Sequence, residues 1–204
     1  MELQEALTQI SEIRHQMART EVFRGYRALP VAFTGVLAVA AAVVQAVSLP
    51  DPEQRIAQYL TLWIGTAVIG ALVAGTEMIL RCRWEGTSLR REITSLAVEQ
   101  FCPCLATGAL LTLVMVRSAH DALWMLPGLW QILFGLGVFA SCRLLPRATF
   151  FVAVFYLVAG LASLTFAQGA QAFSPWAMGI PFGVGQFFAA GVLYRTLECR
   201  DDQP

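Results

Sequence analysis

The segment Leu29–Val47, LPVAFTGVLAVAAAVVQAV, contains no charged residue. A bilayer core ~30 Å thick needs about 20 mostly apolar residues in a helix rising ~1.5 Å per residue, so this stretch reads as a membrane span. Five more follow at Tyr59–Leu80, Phe101–Val116, Leu123–Ala140, Phe150–Ala167 and Trp176–Tyr194. The pattern predicts an all-α integral membrane protein with six transmembrane helices, preceded by an N-terminal amphipathic cytoplasmic helix. The expected division is 1–27 for that helix and a bend, 28–196 for the bundle, and 197–204 for a cytoplasmic tail.

Composition agrees. Of 204 residues, 57% are hydrophobic and 14% charged, against about 25% charged in soluble domains. One helical bundle accounts for this length. The 14 basic and 14 acidic residues balance, which argues against nucleic acid as a partner, since that calls for a basic field. Residues 1–27 are polar and carry Glu2, Glu5, Glu12 and Glu21, unlike a signal peptide with its basic start and short apolar core. The first span is therefore expected to remain as an uncleaved anchor.

All the basic residues are Arg, and their placement sets the expected orientation. Twelve of them fall in the N-terminal segment, the second and fourth loops and the tail; the remaining two are Arg55 and Arg117. Short loops rich in basic residues stay cytoplasmic, so both termini should face the cytoplasm. Tyr59, Trp124 and Trp176 then fall at outer ends and Tyr26, Trp84 and Tyr194 at inner ends, where amphipathic rings favour the headgroup layer. The outer connections are short, which confines recognition to the membrane or the cytoplasmic face.

On that face, Leu3, Leu7, Ile10, Ile13 and Met17 recur at helical spacing opposite Glu2, Glu5, Gln9, Glu12 and Gln16. Such a stripe suits a helix lying on the lipid surface or packed under the bundle. It also suits a docking helix for a cytoplasmic or membrane protein partner through residues 1–24. The loop Arg81–Gln100 carries Leu89, Ile93, Leu96 and Ala97 on one face and predicts a second surface helix leading into span three.

The cysteines are the most unusual chemical feature. Cys82, Cys102, Cys104, Cys142 and Cys199 all map to inner ends, a reducing compartment where a structural disulfide is disfavoured. Cys82, Cys142 and Cys199 each precede an Arg, at intervals of 60 and 57 residues, which fits one helical hairpin per interval. Pro127-Gly-Leu-Trp-Gln131 in span four is echoed by Pro181-Phe-Gly-Val-Gly-Gln186 in span six. Three helical-hairpin repeats are one reading of these echoes, and paired Gly/Pro interruptions are a pointer to binding sites in transporters.

Three polar residues fall inside spans. Glu77 is the one carboxylate well within a span, with Arg81 one helical turn on; an i,i+4 ion pair near the interface is the ordinary reading. Gln131 and Gln186 lie deeper, where a side-chain amide needs partners that lipid does not offer. They either bond one another across spans four and six or line a polar path. Small residues at Ala67, Ala71 and Gly75, and at Gly179 and Gly183, are the kind that let helices approach closely.

Phe101-Cys-Pro-Cys104 resembles the membrane-helix motif of heavy-metal-pumping ATPases, over three residues and without that family's phosphorylated or nucleotide domains. The resemblance implies a soft metal, Cu or Zn, at Cys102 and Cys104, since paired thiolates select such ions. The alternative places Pro103 in the first turn of a helix, where its missing N–H costs nothing. No phosphate-binding Gly-rich loop, HExxH or GxSxG occurs, and no catalytic residue or cofactor-binding motif is assigned.

The stretch from Ile13-Arg-His-Gln-Met-Ala-Arg19 through Phe23 to Leu29-Pro-Val-Ala-Phe-Thr-Gly-Val-Leu-Ala38 is similar to the opening of small uncharacterised bacterial multi-span membrane proteins. That resemblance implies a bacterial inner membrane and attaches no activity. The sequence leaves three functions open. One is a non-enzymatic subunit, scaffold or membrane-side regulator working by contact, with a homo-oligomer among its options. The others are a small transporter or channel passing Gln131 and Gln186, and thiol or metal sensing at the cytoplasmic face.

Overall fold

A computed structural model describes residues 28–84, 88–142 and 145–198. Six helices are long and apolar enough to cross a membrane, and the described residues form no strand. They are α1 (Ala28–Ser48), α2 (Ile56–Trp84), α3 (Ser88–Ser118), α4 (Leu126–Ser141), α5 (Thr149–Phe166) and α6 (Pro175–Leu193). Short 3₁₀ turns at His120–Met125 and Gly169–Phe173 lead into α4 and α6. A π-helical turn, Tyr194–Glu198, continues α6. The expected helix of residues 1–27 lies outside the described residues.

The second loop departs from expectation. Arg81–Gln100 is not a loop carrying a separate surface helix, because α2 extends to Trp84 and α3 begins at Ser88. Leu89–Ala97 therefore belongs to the same helix as span three. The reason lies in composition: Ser88–Gln100 contains neither Gly nor Pro, so nothing interrupts the helix that the apolar span propagates. Pro103 consequently stands inside α3 rather than in its first turn.

Around the bundle the helices neighbour one another in the order α2, α1, α6, α5, α4, α3, with the closest partnerships α1–α6 and α4–α5. Both partnerships are antiparallel and rest on glycine. In the first, Val31 packs with Ala190 and Leu193 at one end, and further along Gly35 faces Gly183 and Gln186. Gly179 approaches Ala42, and a Cβ on Gly183 would stand 2.7 Å from Val39 Cγ2. In the second, a Cβ on Gly160 would stand 2.7 Å from the Gly128 carbonyl. Dispersion between close backbones is a main source of helix association in lipid, where apolar burial gives no preference.

Two other pairs run antiparallel as well: Thr34 meets Gly70 across α1 and α2, and Phe101 meets Gly137 across α3 and α4. Ala28 and Leu193 thus share one end, where most of the Arg residues lie in sequence. The main core sits toward the other end, where the loops are short. It gathers Ala42, Tyr59, Trp63, Met115, Leu123, Leu126, Phe173 and Met178. Nearer the middle, Phe134 makes edge contacts with Phe101, Tyr156 and Phe182.

Helices α2 and α3 are the least enclosed. Of their membrane-length windows, 22% and 11% are buried, against 39% for the span containing α4. The small-residue stripe of span two is open accordingly. Ala67 and Ala71 are exposed, and no described residue of another element lies within 4 Å of where a Gly75 Cβ would be. The matching pair Gly179 and Gly183 is, by contrast, fully engaged with α1.

Candidate functional site

Polar groups that lipid cannot satisfy have to be satisfied by the protein, and α6 carries a polar group of this kind in its backbone. Pro181 has no N–H to donate to the carbonyl four residues earlier, that of Ala177. Gln131, on α4 and fully buried, supplies the missing donor: its Nε2 stands 2.9 Å from the Ala177 oxygen. The other end of the same amide, Oε1, accepts from the Ser163 hydroxyl of α5 at 3.4 Å. Met178 Sδ lies 3.9 Å from Nε2. One side chain thereby links α4, α5 and the proline-interrupted α6.

Gln186 does not meet Gln131. It is half-buried, packs against Gly35 through its Cβ and interacts with the Tyr156 hydroxyl. Tyr156 also donates to the Phe182 carbonyl at 3.4 Å. Its ring lies so close to Gly185 that a Cβ there would collide with it. The two amides singled out by sequence therefore have different partners and do not bond one another.

The sequence reading missed a third amide. Gln45 near the end of α1 is completely buried. Its Nε2 donates to the Phe173 carbonyl at 2.7 Å, and its Oε1 accepts from the Trp63 indole at 2.8 Å. A parallel clamp joins the next hairpin, where Trp130 Nε1 donates to Thr112 Oγ1 at 2.9 Å. In both hairpins the polar acceptor is on the first helix and the Trp 18 residues later on the second. That spacing, a lone polar residue in an apolar run with a Trp 18 residues on, is the signal that could have identified them.

Tyr59 is a core residue with no exposure, meeting Phe173 edge-on at 5.2 Å. Its hydroxyl is buried without a hydrogen-bond partner. Trp176, in contrast, is 47% exposed, as a belt residue would be.

The remaining candidates are dispersed. Glu77 is half-buried on α2; the Arg81 side chain expected beside it lies outside the described residues. Cys102 is exposed and Cys104 half-buried, the latter packed by Gly137 of α4. They are two residues apart on a continuous helix, a separation at which side chains do not face each other. Among the described residues no three His, Cys, Asp or Glu side chains come together as a metal would require. The Cys82 and Cys199 side chains lie outside the described residues.

Cys142 follows α4 and donates to the Val138 carbonyl at 3.3 Å. Burial pushes its thiol up from the ordinary range, while a hydrogen bond with Thr149 opposes that shift. An open crevice of ≈ 380 Å³ lies beside the turn after α1, between Leu49–Gln54 and Ser174–Pro175.

Comparison of the chain with protein-family models, curated proteins and solved structures finds no match.

Proposed function

We propose that this chain is a non-enzymatic six-helix protein of the bacterial inner membrane that acts by contact, as a subunit, scaffold or membrane-side regulator, with both termini in the cytoplasm. The observation that carries the reading is how the two fully buried amides are used. Gln131 and Gln45 are fully buried, and both ends of each amide are taken up by bonds between helices. Side chains that lined a solute path would instead present free donors or acceptors to a water-filled space. Polar groups spent on packing favour a rigid membrane body whose surfaces do the work.

Two further features support the contact reading. In sequence, twelve of the fourteen Arg residues fall in the N-terminal segment, the second and fourth connections and the tail, as expected of cytoplasmic loops. Residues 1–24 carry an apolar stripe at helical spacing, suited to a partner's groove. The expected result is that a chain lacking residues 1–24 keeps the bundle folded in detergent but loses its co-purifying partner. Unchanged co-purification, or solute flux in proteoliposomes that disappears with Gln131→Leu and Gln186→Leu in a still-folded bundle, would overturn the proposal. Tags at the two ends, both protected in intact spheroplasts, test the orientation.

A further inference from the structure

We draw no further inference here: the strongest candidate, the open Ala67–Ala71–Gly75 face of the second span, is a stripe of small residues on the bundle surface, and nothing in the structure shows what covers it.

Discussion

Gln131 of α4 reaches α6 at the carbonyl of Ala177, the one that Pro181 leaves without its helical donor, so Gln131 and Pro181 are complementary defects. Proline removes one donor from the α6 ladder, and the glutamine amide, placed 2.9 Å from the orphaned Ala177 carbonyl, replaces it. Each residue would be costly in lipid without the other: a buried amide with no acceptor, or a buried carbonyl with no donor. The interaction fixes the depth of α4 against α6, because the amide has to reach one particular carbonyl.

This pairing predicts a non-additive mutant cycle. Gln131→Leu should destabilise the bundle by about 1–2 kcal/mol, the upper range for interhelical hydrogen bonds in membranes. Pro181→Ala restores an N–H for Ala177, so the same Gln131→Leu change should cost distinctly less in that background. Unfolding titrations in mixed micelles of the wild type, both single variants and the double variant measure the coupling. Equal costs in both backgrounds would show that the amide is not compensating for the proline.

The two tryptophan clamps should differ in weight. Gln45 satisfies the Trp63 indole and the Phe173 carbonyl together, so Gln45→Leu strands two buried groups. Thr112→Val strands only the Trp130 indole, because the Thr112 hydroxyl otherwise returns to the Gly108 carbonyl of its own helix. At about 1–3 kcal/mol for each stranded group, the Gln45 variant should be the less stable of the two by roughly that amount. The same micelle titration decides it, and a Thr112 variant as damaged as the Gln45 variant would contradict the account.

How far these features could be read in advance depended on the range of the interaction involved. The six helices long and apolar enough to cross a membrane follow from local apolar length, and their positions are legible to within a few residues. Gln131 and Pro181 were each noticeable alone. Their relationship spans 50 residues and depends on which helices pack side by side, a fact carried by shape rather than by any single run. Gln45 carries no local signal of its own, because the groups it bonds, the Trp63 indole and the Phe173 carbonyl, lie on other elements. The small-residue motif is ambiguous in kind: Gly179 and Gly183 meet α1, while Ala67 and Ala71 are exposed and Gly75 faces open space among the described residues.

That ambiguity yields a contrast. Gly183→Leu would force a side chain into Val39 and separate α1 from α6, so little folded protein should be recovered. Gly75→Leu enters open space on α2 and should leave the bundle within about 0.5 kcal/mol of wild type, as surface substitutions do. Size-exclusion profiles in detergent with thermal unfolding distinguish the two. Loss of fold in the Gly75 variant would mean that this face is packed.

Burial makes a separate prediction for Cys142, which lies just beyond the fourth span. Its thiolate is disfavoured because burial raises the thiol's pKa, the Thr149 hydrogen bond only partly opposing this. Alkylating reagents attack the thiolate. At a pH near that of a free cysteine's half-ionisation, about 8.5, the folded protein should therefore react more slowly than the unfolded chain. The gap should narrow as pH rises through the folded-state value. A chain retaining Cys142 alone, labelled with iodoacetamide before and after unfolding in dodecyl sulfate, provides the comparison; equal rates across the pH range would refute it.

Tyr59 and Tyr156 supply the last test, since they carry the same group in opposite circumstances. Both rings are fully buried, but the Tyr156 hydroxyl donates to Phe182 while that of Tyr59 has no hydrogen-bond partner. Removing an unpaired buried hydroxyl relieves a desolvation penalty and leaves the ring packing on Phe173 unchanged, so Tyr59→Phe should be neutral or stabilising by up to about 1–2 kcal/mol. Tyr156→Phe deprives a carbonyl and the Gln186 amide of their shared partner and should destabilise by about 1 kcal/mol. Opposite signs in a single unfolding assay are the expected outcome. A clear loss of stability in Tyr59→Phe would mean that its hydroxyl does hold a partner in the membrane.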